Sequence, residues 1–161
     1  MVFHKLEITD NHTLENTNNL HKLNDMINSG SPTFIFFYKD GCPPCINAKP
    51  SWKEIHPKIK AHARKDKEPI IALINKDLFH HLTNAGPPLN GYPTFRFIHK
   101  KPNSFVVEEY ENSRFKADKD RSTNSFNSWV EHHMNKKKGK KTKHHKSKKA
   151  KSKKATTRKK R

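Results

Sequence analysis

Long apolar runs are missing from this chain. The longest, Phe34 to Tyr38 and Ile70 to Ile74 at five residues each, fall far short of the roughly 20 residues a membrane-spanning helix needs. Met1 to Glu7 loses apolar character within three residues and never builds the apolar core of a secretory leader. A soluble, cytoplasmic protein is therefore expected, with nucleus and virion left open as destinations. Cysteine is scarce as well: two residues in 161 are too few for a secreted disulfide scaffold. Acidic residues are missing from one whole stretch, since all 15 lie before Asn135. Aromatic residues are missing from the same stretch, which excludes base stacking there.

What fills that stretch is lysine and arginine. Sixteen of the 34 basic side chains fall in the last 26 positions, so residues 136–161 carry +16 of the formal +19 and residues 1–135 only +3. With no apolar face to bury and strong self-repulsion, residues 136–161 are expected to be disordered. The expected organisation is thus one domain over 1–135 and a Lys/Arg-rich tail. Lys136, Lys137, Lys138, Lys140, Lys141, Arg158, Lys159, Lys160 and Arg161 are its candidate nucleic-acid contacts, non-specific because counterion release carries no sequence information. Lys136–Lys138 and Arg158–Arg161 also fit nuclear import signals. Anionic lipid, an acidic protein and a purely solubilising role stay open for the tail. His144 and His145 read as part of the arm.

Within 1–135 the pattern alternates. Phe3 to Thr9 reads as a strand, and Asn16 to Ser29 as a helix with Leu20, Leu23 and Ile27 on one face and Gly30 as its stop. Thr33 to Tyr38 and Ile70 to Ile74 are continuous apolar runs, the mark of strands buried on both faces. Ile46, Ala48, Trp52, Ile55 and Ile59 predict a helix from Gly41 to about Arg64, kinked at Pro50. Leu78 to Asn84 predicts a short helix. Thr94–Ile98 and Phe105–Tyr110 predict a hairpin turning at Lys100–Asn103, and Asn124 to His133 a closing helix. The order β α β α β α β β α implies an α/β fold, a mixed central sheet with helices on both faces.

The two cysteines sit three apart, as Cys42-Pro43-Pro44-Cys45, where the first buried strand passes into a helix. A helix N-terminus favours the thiolate, and the thiolate is the nucleophile of disulfide exchange. Cys42 is the expected attacking sulfur, and Cys45, one turn further in, the resolving one. Pro43 and Pro44 lack amide hydrogens, leaving Cys45 and Ile46 as the nearest backbone donors. That predicts a modest thiolate bias and a lean toward reductase chemistry, with Lys39 and Asp40 pulling in opposite directions. Three other readings stay open: a zinc site, for which no second Cys pair or His knuckle is present; a static disulfide, contributing only about 2 kcal/mol across so short a loop; and a redox-inactive scaffold serving nucleic-acid binding or packaging. No cofactor and no metal are expected.

Phe34 to Pro50, with Cys42, Cys45 and a proline five residues past the second cysteine, resembles the active-site strand and helix of the thioredoxin superfamily. Gly91-Tyr92-Pro93-Thr94-Phe95 resembles that family's cis-proline loop. That loop and Arg121, eight positions before Trp129, are closest in pattern to a catalytic domain of the protein disulfide isomerase type. The basic arm adds a likeness to the single-domain redox proteins of large DNA viruses. The resemblance implies a thioredoxin fold and a thiol–disulfide oxidoreductase acting on protein dithiols and disulfides. It also implies a separate reductant or oxidant, a cis Pro93, substrate contact through Tyr92 and Pro93, and support from Pro43, Pro44, Pro50 and Arg121. The sequence departs from the family at Phe36, where a buried Asp or Glu is usual, and at Gly41, where Trp is usual. No lysine near Ile71 and Ala72 is placed to pair with such a carboxylate.

Overall fold

The structure is a computed structural model describing residues 3–60 and 67–135. The expectation of a disordered tail at 136–161 lies outside the described residues. Along the chain run β1 (His4–Ile8), α1 (Leu14–Ser29), β2 (Thr33–Tyr38), α2 (Pro43–Lys53) and β3 (Ile70–Asn75). A 3₁₀ helix (Lys76–His81), β4 (Thr94–Lys101), β5 (Ser104–Glu109) and α3 (Thr123–Met134) follow. The strands form one sheet in the order β1-β3-β2-β4-β5. β3 is parallel to β1 and β2, whereas β4 is antiparallel to β2 and β5.

The period-two alternation of strand side chains divides the core between the two faces of this sheet. Phe34, Phe36, Leu73, Phe95 and Phe97 face α2 and α3, meeting Cys45, Ala48, Trp52, Phe126 and Trp129. Ile35, Phe37, Ala72, Ile74 and Ile98 face the opposite way, onto Leu20, Leu23 and Ile27 of α1 and Leu78 of the 3₁₀ helix. β2 and β3 are buried at every residue, which is why they read as unbroken apolar runs. This is the α/β thioredoxin fold that the element order and the resemblance implied.

Local chemistry sets the element ends. α1 starts two residues earlier than its apolar periodicity suggests, because the Thr13 hydroxyl accepts the Asn16 amide at 3.1 Å. It stops at Gly30, whose φ of +91° lets the amides of Gly30 and Ser31 close on the carbonyls of Ile27 and Met26. A β-carbon at Gly30 would also lie 3.1 Å from Cβ of Lys100. β4 runs on to Lys101, so the hairpin turn narrows to Pro102-Asn103 between the paired Lys101 and Ser104.

One expectation fails. α2 does not continue to Arg64 but ends at Lys53. Pro57 disfavours helical backbone at the residue before it and cannot donate to a preceding turn. Residues 55–60 run without regular structure, with the amides of His56, Lys58 and Lys60 donating to Asn127 Oδ1 (2.8 Å), Glu131 Oε1 (2.6 Å) and Asn135 Oδ1 (3.0 Å) of the α3 region. Ile55 is buried, and Ile59 packs on the same cluster. Two residues of extended chain advance about 6.6 Å and four residues of helix about 6.0 Å, so a donor every second residue stays in step with an acceptor every fourth.

Candidate active site

β2 delivers the chain to the site and α2 carries it away. At the junction, Asn75 Nδ2 at the end of β3 donates to Asp40 Oδ2 at 2.9 Å, tying the turn after β2 to the neighbouring strand. Lys49 of α2 places its ammonium 3.4 Å from the centre of the Tyr38 ring, joining the helix to the end of β2 from the other side. Burial, reinforced by the Asp40 carboxylate, holds the Tyr38 phenol above its usual range.

Cys42 caps α2 in extended conformation, and Pro43 and Pro44 open the helix. Proline is tolerated there because the first-turn amides have no intrahelical partner. Cys42 and Cys45 form a disulfide with Cα atoms 5.3 Å apart, inside the ordinary range for such a bond. Cys42 is half-buried and Cys45 is fully buried in the core cluster. Of the two donors expected near Cys42, the Ile46 amide is engaged with the Cys42 carbonyl at 3.0 Å. The Cys45 amide is then the first-turn donor left to face a thiolate at Cys42.

Across from the disulfide, the Tyr92–Pro93 peptide bond is cis. The Tyr92 carbonyl oxygen lies 3.8 Å from Cys42 Sγ, and Thr94 Oγ1 donates to the Gly91 carbonyl at 2.6 Å. Arg121 pairs with Glu111 through Nε (2.9 Å) and Nη2 (2.7 Å), and its guanidinium stands 5.8 Å from the centre of the Phe95 ring. Beside the cysteines, Pro43, Pro44, Asn47, Asp120, Arg121 and Ser122 border a groove of about 420 Å³. Pro50 lies inside α2 on an exposed face. The structure therefore gathers Cys42, Cys45, Pro43, Pro44, Tyr92, Pro93 and Arg121 at one end of the sheet. The nine tail residues from Lys136 to Arg161 fall outside the described residues.

Phe36 occupies its departure position as a core side chain, 4.5 Å from the Phe95 ring and 5.8 Å from the Trp52 ring between centroids. Its neighbour in register on β3 is Leu73, whose own neighbour on β1 is Glu7. Glu7 pairs with Lys53 at 2.8 Å. The carboxylate on this row of the sheet thus stands two strands away, beside a cavity of about 280 Å³ lined by Trp52, Lys53, Ile71 and Leu73. Among the described residues no group of three or more His, Cys, Asp or Glu side chains is gathered to hold a metal.

Arg96 was not among the residues the sequence singled out. It is 1% exposed on β4, and Nε and Nη2 both bond Glu109 Oε1 of β5, at 3.2 and 2.9 Å. Nη1 donates to the carbonyls of Ala85 (2.9 Å) and Pro87 (2.7 Å). Together with Thr94, it fixes the loop that leads to Tyr92 and Pro93. The same loop needs Gly86, where a β-carbon would meet Val107 Cγ1 at 2.9 Å and φ is +96°.

No family model matches this chain, and no curated protein does. Among solved structures it is similar to the J-Trx1 fragment of ERdj5, at 20% identity and a TM-score of 0.44, over 80% of this chain and 51% of that one. The chain spans about half the length of that structure. No helix among the described residues is long and apolar enough to cross a membrane.

Proposed function

We propose that the protein is a thiol–disulfide oxidoreductase that exchanges disulfides with protein substrates, as a reductase or isomerase, through Cys42 and Cys45. The observation that carries this reading is a half-buried and a fully buried cysteine bonded across the first turn of α2, with the backbone carbonyl of Tyr92 3.8 Å from the outer sulfur. In the reduced protein, the Cys42 thiolate attacks a substrate disulfide. A Cys42–substrate disulfide forms, and one substrate sulfur leaves as a thiolate. Cys45, as thiolate, then attacks Cys42 Sγ, closing the Cys42–Cys45 disulfide and releasing the second substrate sulfur. Two electrons pass to the substrate, and an external dithiol restores the pair.

Tyr92 and Pro93 would receive the substrate backbone, while Pro43, Pro44 and Arg121 border its approach. The prolines leave one amide facing Cys42, so its thiolate is modestly favoured and the enzyme leans toward reduction. With Phe36 in an aromatic cluster, no carboxylate stands on that strand to take the Cys45 proton. Residues 136–161 would tether the enzyme to nucleic acid, in a nucleus or a virion core.

Purified protein supplied with dithiothreitol is expected to reduce a small protein disulfide faster than dithiothreitol alone, and Cys42→Ala to fall to that background. Wild-type protein at background rate, with its circular dichroism intact, would overturn the proposal. The aromatic burial of Phe36 favours a second reading, a nucleic-acid-binding or packaging protein on a redox-inactive scaffold. That reading requires Cys42→Ala/Cys45→Ala to keep full function while loss of 136–161 abolishes it.

A further inference from the structure

The strand register defines two ends of the molecule. Ile8, Ile74, Phe37 and Thr94 mark the end that carries the disulfide. His4, Ile70, Thr33 and Ile98 mark the other. α3 crosses between them: its cap Ser122 borders the groove beside Pro43 and Pro44 at the disulfide end, whereas His133 stacks on Phe97 and the cap Asn135 holds Lys60. The last described residue, Asn135, therefore stands at the end opposite the disulfide.

Charge is distributed unequally between these ends. Near the disulfide the signs alternate, as Lys39 with Asp40, Lys76 with Asp77, and Arg121 with Glu111. At the opposite end Lys58, Lys60, Lys67, Lys100 and Lys101 are all exposed. Lys67 and Lys100 come together over Gly30, both within 3.5 Å of the place a β-carbon would take. Among the described residues there, Glu68 is engaged with His4, Glu108 with His133 at 3.0 Å, and Glu131 with the Lys58 amide.

We infer that this far end, where Asn135 precedes the basic stretch, is a docking face for the phosphate backbone of nucleic acid, turned away from the disulfide. The inference rests on the tail reading given under Proposed function. Nucleic acid is favoured over a lipid surface because stable membrane attachment of a basic segment takes a second, apolar anchor. The exposed large apolar side chains among the described residues are Leu14 and Ile46, and both lie at the disulfide end. The six residues of β2 separate the ends by about 20 Å. A molecule bound by its far end would thus present Cys42 outward, to proteins on the same nucleic acid.

Counterion release makes the face measurable, because log Kobs falls with log salt by about 0.9 per phosphate contact on duplex DNA. Full-length protein is titrated onto a short duplex across about 50 to 200 mM salt, as wild type and as two triple variants. The first is Lys60→Gln/Lys67→Gln/Lys101→Gln. Lys100 is spared because its ammonium holds the Asn28 carbonyl at 2.9 Å. The second, Lys22→Gln/Lys39→Gln/Lys76→Gln, removes equal charge elsewhere. The first should lower the salt slope by nearly three, and the second should leave it unchanged. Equal changes in both, or none in either, would overturn the docking face while leaving the tail reading in place. Wild-type protein that fails to bind the duplex at low salt overturns the tail reading and the face together. A first variant that loses binding to anionic phosphatidylserine vesicles but not to DNA overturns the choice of nucleic acid.

Discussion

Arg96 shows how much a single side chain can hold at this site. Its guanidinium is buried, while its partner Glu109 keeps about a third of its side chain in solvent. Truncation to Arg96→Met strands the carbonyls of Ala85 and Pro87 and is expected to cost about 3 kcal/mol in urea unfolding. That is the low end of the usual penalty for breaking a buried pair, because Glu109 can rehydrate. A loss under about 1 kcal/mol would contradict the clamp. Between Phe95 and Phe97 an arginine reads as the solvent-facing member of an alternating strand. It is buried because the 85–88 loop folds over that face, a tertiary event with no local signature. Cys42, Cys45 and the Pro93 loop, by contrast, are legible in the sequence because their chemistry is carried by neighbouring residues. Tyr110 is fully buried with its hydroxyl bonded to Ser125, and burial raises its phenol above the usual value of 10.0. The folded state therefore holds the neutral form, giving stability that is complete below pH 10.0 and lost as pH climbs through the raised value. Tyr110→Phe should flatten the alkaline limb of a stability–pH curve, and an unchanged limb would remove Tyr110 from the account.

At the scale of elements, most of the architecture follows from periodicity and punctuation. Thr13, Gly30 and the unbroken apolar strands fix their own segments. The segment after α2 does not, because Ile55 and Ile59 satisfy a helical spacing of four and an extended spacing of two equally well. Pro57 between them decides for extended chain, and Asn127, Glu131 and Asn135 supply acceptors that only the folded α3 can line up. Glu131→Ala should cost about 1 kcal/mol and speed hydrogen exchange at the Lys58 amide with little change in the β2 amides. Exchange accelerated equally throughout would mean that the segment does not open by itself.

At the scale of the whole molecule, the cysteines and Asn135, the residue before the basic stretch, lie at opposite ends. Sheet polarity puts the cysteines where β2 ends and α2 begins, and α3 carries the chain to the opposite end before the basic residues start. Composition marks where the basic residues begin but not where Asn135 stands, since which end of the sheet receives it depends on the direction in which α3 packs. If Cys42 is the attacking sulfur and Cys45 the buried resolving one, the two single-cysteine variants form different adducts with a protein disulfide, and mass spectrometry of those adducts reads the difference. Cys45→Ala should accumulate a mixed disulfide through Cys42, and Cys42→Ala should remain largely unmodified. Equal trapping through both cysteines, or through neither while the fold persists, would contradict the account.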